Sequence, residues 1–133
     1  ARIYRARQQV FTIEQQCIYL DADAYDEVSV HFAAWSSEHV LPLAYARLLN
    51  PRTKYAEPSI GRVLTTAPAR GLGLGRELVR RVIAHSAQMH PGMAIRISAQ
   101  ERLERFYADS GFGTIGSPYQ EDGIPHLEML RPA

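Results

Sequence analysis

Apolar positions near the N-terminus recur at helical spacing. Ile3, Ala6, Val10 and Ile13 fall on one face, which predicts an amphipathic helix over residues 2–15. Residues 20–27 are acidic and turn-like, with Asp21, Asp23, Asp26 and Glu27. Alternation follows. Residues 28–35 read as a strand, Ser36-Ser37-Glu38-His39 as a tight turn, and residues 40–49 as a second strand in a hairpin with the first. Asn50-Pro51-Arg52-Thr53-Lys54 breaks the pattern as a loop. A third strand, rich in Ile, Val, Leu and Thr, covers 59–67.

From Arg76 the period becomes helical. Leu78 with Val82, and Val79 with Ile83, form two i,i+4 rows and one broad apolar face. His90-Pro91-Gly92 stops this helix, and a short strand follows over 94–99. Leu103, Phe106 and Tyr107 line the next helix, which Gly111 can end as a C′ glycine. Residues 112–115 and 126–130 read as closing strands separated by a polar loop over 117–125. Strand, glycine turn, helix, strand is a βαβ crossover, so the strands at 59–67 and 94–99 are expected to be parallel. The hairpin-linked strands before them are expected to be antiparallel. The fold class is α+β with a mixed sheet, and 133 residues without repeat or linker suit one domain over 1–133.

Composition narrows the function classes. A formal net charge of +1 supplies no general attraction to nucleic acid or anionic lipid. Trp35 and the tyrosines build no stacking platform within a basic field. No apolar run approaches the roughly 20 residues that span a bilayer. The single cysteine, Cys17, cannot form an intrachain disulfide, so a reducing cytoplasm is expected. Asp21-x-Asp23-x-x-Asp26 hints at a calcium loop but lacks the glycine at its sixth position and the distant glutamate. His85 and His90 do not share a helix face, so no metal is expected.

The candidate chemistry starts at Arg70-Gly71-Leu72-Gly73-Leu74-Gly75, between the third strand and the long helix. Alternate glycines leave backbone N–H groups unshielded, and a helix N-terminus behind them favours negative charge. Such a turn can cradle a phosphate. Arg76-Glu77 stands where a P-loop needs Lys-Ser/Thr, and the third glycine comes one residue early for a dinucleotide fingerprint. Alone, the turn could equally serve close packing of strand on helix.

Arg70-x-x-Gly73-x-Gly75 after an apolar strand resembles the coenzyme A pyrophosphate loop of the GNAT superfamily of N-acetyltransferases. The stretch from Leu103 through Phe106 and Tyr107 to Gly111-Phe112 is similar to that superfamily's tyrosine-bearing helix and following Gly-Phe. Val10-Phe11-Thr12-Ile13-Glu14-Gln15, with Cys17, Tyr19 and Asp21, and the stretch from Tyr119 to His126 resemble the ElaA-like branch. The resemblance covers about Arg5 to Met129. It implies a mixed, splayed sheet flanked by helices. It also implies a strand before Ala1, whose absence leaves one sheet edge open.

The resemblance implies that acetyl-CoA is the co-substrate. Backbone N–H groups of Arg70, Gly71, Leu72, Gly73, Leu74, Gly75 and Arg76 would hold its diphosphate, with Arg70 adding charge. Val63, Leu64 and Thr65 match the position that pairs with the pantetheine arm, and the N–H near Leu64 would polarise the thioester carbonyl. Tyr107, next to Phe106, matches the general acid that protonates the leaving thiolate. The acceptor is a small-molecule or protein amine that attacks directly, without a covalent enzyme intermediate, and homodimers are frequent among such proteins. The base stays open. No acid lies in the segment Ile60 to Thr65, where several relatives carry a glutamate. Glu14, His31, Glu121, Asp122 and His126, or a water chain, are the candidates. Glu14, Tyr19 and residues 121–126 are expected to shape the acceptor pocket. The rival readings are a non-catalytic acyl-CoA binding module and a nucleotide-binding domain.

Overall fold

The computed structural model describes residues 1–16 and 21–133. Cys17 and Tyr19 lie outside the described residues. The first segment is helical, as its period predicts: α1 (Arg2–Arg7) continues as a π-helical stretch over Gln8–Glu14. The wider i→i+5 turn rotates later positions off the expected face. Val10 and Phe11 are buried, whereas Ile13 is 62% exposed.

Two antiparallel sheets follow. β1 (Ser29–Ala34), β2 (Ala44–Leu49) and β3 (Ser59–Thr65) form one in the order β1-β2-β3. β4 (Ile95–Gln100), β5 (Gly113–Glu121) and β6 (Ile124–Arg131) form the other in the order β4-β6-β5. α2 (Leu74–Met89) joins the sheets, and α3 (Glu104–Ala108) follows a 3-10 turn after β4. Leu78, Val79 and Val82 of α2 pack with Ala46, Leu48, Ile60, Ile95, Ile97 and Met129 in the main core. Each large apolar side chain buried there stabilises by about 1.5–3 kcal/mol. No helix is long and apolar enough to cross a membrane among the described residues.

Three expectations need correction. The second strand starts at Ala44 rather than 40, because Pro42 has no N–H for a ladder; its carbonyl instead accepts the Thr66 hydroxyl at 2.9 Å. The expected loop over 117–125 is mostly strand. β5 and β6 close into a hairpin through Asp122 (φ 51°) and Gly123 (φ 76°), the two left-handed positions of a type I′ turn. Nearly every β5 position is exposed, so this edge strand carries no alternation for a sequence reading to find.

The third correction positions the site. β3 and β4 make no parallel ladder. A main-chain bond from Arg96 N–H to the Pro58 carbonyl, at 3.1 Å, ties them where both begin. β3 then bends away. Tyr45 pairs with Leu64 and Arg47 with Gly61, so two steps along β2 meet three along β3. The extra residue is a bulge, which bends and twists its strand. Arg62 (φ 53°) occupies the left-handed region that disfavours a side-chain-bearing residue. Its guanidinium reaches Asp21 at 3.1 Å and Asp23 at 3.3 Å, contacts that hold the strained position.

Those aspartates belong to a cluster of charge. Arg7, fully buried, pairs with Asp21 at 2.8 Å and Asp26 at 2.7 Å, and Arg47 pairs with Asp23 at 2.7 Å and Asp26 at 3.0 Å. The acidic segment is thus neutralised by three arginines from α1, β2 and β3. No group of carboxylates, histidines or cysteines arranged to hold a metal occurs among the described residues.

Candidate active site

The splay opens two adjoining cavities. One, of about 610 Å³, borders the glycine turn and is walled by Val63, Leu64 and Thr65 of β3, Arg70, Gly75 and Phe106. The other, of about 400 Å³, lies on the far side of the bulge and is walled by Asp23, Lys54, Arg62, Glu121, Asp122 and His126 among others. Phe11, Gln15, Val63, Gln100, Leu103 and Tyr107 line both, so the cavities meet there.

Tyr107 stands at that junction. Its ring is held edge-on by Phe106, with centroids 5.0 Å apart, and by Phe112, 6.0 Å apart. The side chain is only 7% exposed, and its hydroxyl has no hydrogen-bond partner among the described residues. Burial raises its pKa above the ordinary tyrosine value. The phenol therefore stays protonated at neutral pH and is free to donate.

The glycine turn is built as its spacing requires. Gly71 (φ 83°) and Gly73 (φ 74°) occupy left-handed conformations open to glycine at no steric cost. Two N–H groups of the turn are already used: Arg70 N–H bonds to the Ala67 carbonyl and Leu72 N–H to that of Ala69, both at 3.3 Å. Those of Gly71, Gly73, Leu74, Gly75 and Arg76 have no main-chain acceptor among the described residues. A Cβ on Gly75 would lie 3.2 Å from Thr65 Cγ2 and 4.0 Å from Phe106 Cζ, so glycine there lets α2 approach both cavity walls. The expected cradle of consecutive donors is therefore narrower than 70–76, lacking the N–H groups of 70 and 72.

The charged side chains around the turn point elsewhere. Arg70 pairs with Glu14 and donates to the Thr65 carbonyl at 3.0 Å. Glu14 accordingly lines the turn-side cavity. Arg76 pairs with Asp109 at 3.1 Å and lies over the Phe106 ring. Leu72, at the tip, is exposed.

The remaining candidates separate. Glu121, Asp122 and His126 line the far cavity together. His126 Nε2 lies 3.2 Å from Glu121 Oε2, and Nδ1 lies 2.8 Å from the Ile124 carbonyl. His31 does not join them. It lines neither cavity, and its ring nitrogens meet the Tyr45 hydroxyl and the Asp26 carbonyl, a structural role. The reason is strand order: His31 stands on β1, the outer strand of its sheet, two strands from the splay.

The sequence reading missed Gln100, Lys54, Arg62, Arg47 and Asp23 as cavity residues. Gln100 Nε2 donates to Gln15 Oε1 at 3.1 Å, which links β4 to the end of the first helix across the junction. Gln15 sits inside the Val10–Gln15 stretch and Gln100 ends the strand before α3, which were usable signals. Arg62 had none, because the bulge that aims it depends on the register of two strands.

Residues 8–131 match the acetyltransferase (GNAT) domain family. The chain belongs to the GNAT family. Among its relatives are a UPF0039 protein of Synechocystis, 47% identical over 93% of this chain and 80% of that protein, and Protein ElaA of Escherichia coli, 32% identical over 97% of this chain and 84% of ElaA. Among solved structures, an acyl-CoA N-acyltransferase from Pseudomonas aeruginosa is 36% identical with a TM-score of 0.88, covering 96% of this chain and 85% of that one. The crystal structure of Escherichia coli ElaA has a TM-score of 0.87 at 32% identity, covering 96% and 86%. The splayed GNAT fold and the ElaA-like resemblance are thereby borne out, and the family uses acyl-CoA with an acceptor substrate. Acyl transfer is the activity class of this GNAT domain.

Proposed function

We propose that this chain transfers an acetyl group from acetyl-CoA to a primary amine by direct attack in a ternary complex. The observation that carries the reading is the meeting of two open cavities at Tyr107, whose hydroxyl has no hydrogen-bond partner among the described residues. Acetyl-CoA occupies the turn-side cavity. Its diphosphate is held by the N–H groups of Gly71, Gly73, Leu74, Gly75 and Arg76, and its pantetheine arm lies along Val63, Leu64 and Thr65. A main-chain N–H near Leu64 polarises the thioester carbonyl. The amine enters from the far cavity. Its walls are dominated by polar groups of both signs, which suits a small polar amine over an aromatic one.

The atoms balance as follows. The amine nitrogen attacks the thioester carbon, a C–N bond forms and the C–S bond breaks. Tyr107 gives its proton to the leaving sulfur and regains one from the new amide nitrogen. A free thiol titrates near pKa 8.5, well below the raised value of a buried phenol, so the phenolate is short-lived and the return of that proton is fast. The proposed setting is the cytoplasm, in keeping with a single cysteine in the sequence.

Thiol release measured with acetyl-CoA and a panel of amines tests this. Tyr107→Phe should lower kcat by about 10²–10⁴ while coenzyme affinity changes by less than about twofold. Coenzyme binding without amine-dependent thiol release would favour the non-catalytic binding module instead. Full activity in Tyr107→Phe would remove this tyrosine from the mechanism.

A further inference from the structure

The acceptor amine arrives as an ammonium, because a lysine-like amine has a pKa of about 10.4, and a nitrogen without a lone pair cannot attack. The far cavity contains a pair of side chains shaped to take that proton. His126 and Glu121 are diagonal neighbours across the β5–β6 hairpin, which the Asp122-Gly123 turn closes tightly. The Ile124 carbonyl can only accept, so His126 Nδ1 must be its N–H donor at 2.8 Å. The tautomer follows from that bond. Nε2 lies 3.2 Å from Glu121 Oε2, at ion-pair distance but outside hydrogen-bond alignment. An imidazole nitrogen and a carboxylate oxygen, both groups able to take a proton, thus stand close together on the cavity wall.

We propose that the Glu121–His126 pair is the proton acceptor for the incoming amine. This rests on the N-acetyltransferase reading above. Placement supports it. His126 is the cross-strand partner of Gln100, and Gln100 lines the junction of the two cavities beside Tyr107. Directly opposed residues project from the same face of a sheet, about 4.5–5.5 Å apart at Cβ, so His126 flanks the junction on the acceptor side. His126 is 8% exposed and held at Nδ1 by the Ile124 carbonyl, whereas the Glu121 side chain is 43% exposed. The imidazole is set in the cavity wall, and the carboxylate beside it opens to solvent. The captured proton can leave by that route.

The charges around the pair are of both signs. Tyr119 lies beside His126, with rings 6.1 Å apart, and Asp122 follows Glu121 in the turn. Across the cavity stand Tyr25, Tyr107 and Lys54, while Asp23, Arg47 and Arg62 are bound within their own ionic cluster. Arg47 and Arg62 therefore have carboxylates of their own. The proton balance closes: the ammonium loses one proton to the pair, the pair passes it to solvent, and Tyr107 is restored by the amide nitrogen.

The pH dependence of kcat/KM in the intact chain, with the best acceptor of the amine panel, tests the assignment. Glu121→Gln and His126→Gln should each lower kcat/KM at neutral pH by about 10²-fold. The loss should shrink as pH approaches the amine's own pKa, where neutral amine needs no base. Coenzyme affinity should stay within about twofold, which also reports that both variants are folded. A loss constant with pH would make the two residues structural and overturn the proposal. So would wild-type activity in Glu121→Gln, the more exposed and more readily folded variant. Absence of amine-dependent turnover in the wild-type chain would overturn the transferase reading and this role with it.

Discussion

Arg70 reaches back from the glycine turn to Glu14 at the end of the first helix, so the cation beside the turn proposed to hold the coenzyme diphosphate is already paired. Both side chains are partly exposed and line the same cavity. An exposed pair of this kind contributes up to about 1 kcal/mol and weakens with salt. A diphosphate must compete with Glu14 for Arg70, and it must also tolerate a carboxylate nearby. Glu14→Gln should therefore tighten coenzyme binding by about threefold at low salt, with the gain fading at high salt. Calorimetry at two ionic strengths checks this. Weaker binding in Glu14→Gln would mean that Glu14 orients Arg70 rather than competing with the ligand.

Acid should loosen the ionic cluster at a defined stage. Burial by itself would raise the pKa of Asp26, but hydrogen bonds from Arg7, the Asp23 N–H and Arg47 outweigh it and hold the carboxyl down at about 2. The folded value lies below the unfolded one of about 3.9. Its contribution, a few kcal/mol, is thus fully present above about pH 4 and is lost as pH falls toward 2. Urea unfolding along a pH series should show that decline, and Asp26→Asn should flatten it. An acid limb of unchanged steepness in Asp26→Asn would assign the decline to other carboxylates.

Gly75 should tolerate no branched side chain. Its Cβ position already lies 3.2 Å from Thr65 Cγ2, and Thr65 and Phe106 both wall the turn-side cavity. Overpacking of this kind costs about 1–3 kcal/mol and is relieved by moving the neighbours. Gly75→Val should weaken coenzyme binding by about tenfold or more. Unchanged affinity would show that the cavity wall can yield without cost to the ligand.

Much of this was legible along the chain. The two apolar rows of α2, the strand before the glycine turn and the Phe106-Tyr107 helix are local patterns, written by the geometry of helices and strands. The turn itself was legible because left-handed backbone at Gly71 and Gly73 calls for glycine. Those features carried the GNAT resemblance. The acidic segment from Asp21 to Asp26 was misleading in isolation, because its partners Arg7, Arg47 and Arg62 arrive from three distant elements. His31 looked equivalent to His126 as a residue type in a strand. Only strand order separates them, one on an outer strand and the other on the central strand β6, opposite Gln100 of the strand that borders the splay.

The linear order of residues determined the elements, the phosphate-type turn and the presence of a tyrosine on the right helix, since each depends on neighbours a few positions apart. Tertiary structure alone decided where β3 leaves β4, which side of that opening Glu14 occupies, and that His126 comes opposite Gln100. Those facts follow from a single extra residue in one strand pairing and from the packing of segments far apart in the chain, and no local pattern encodes either.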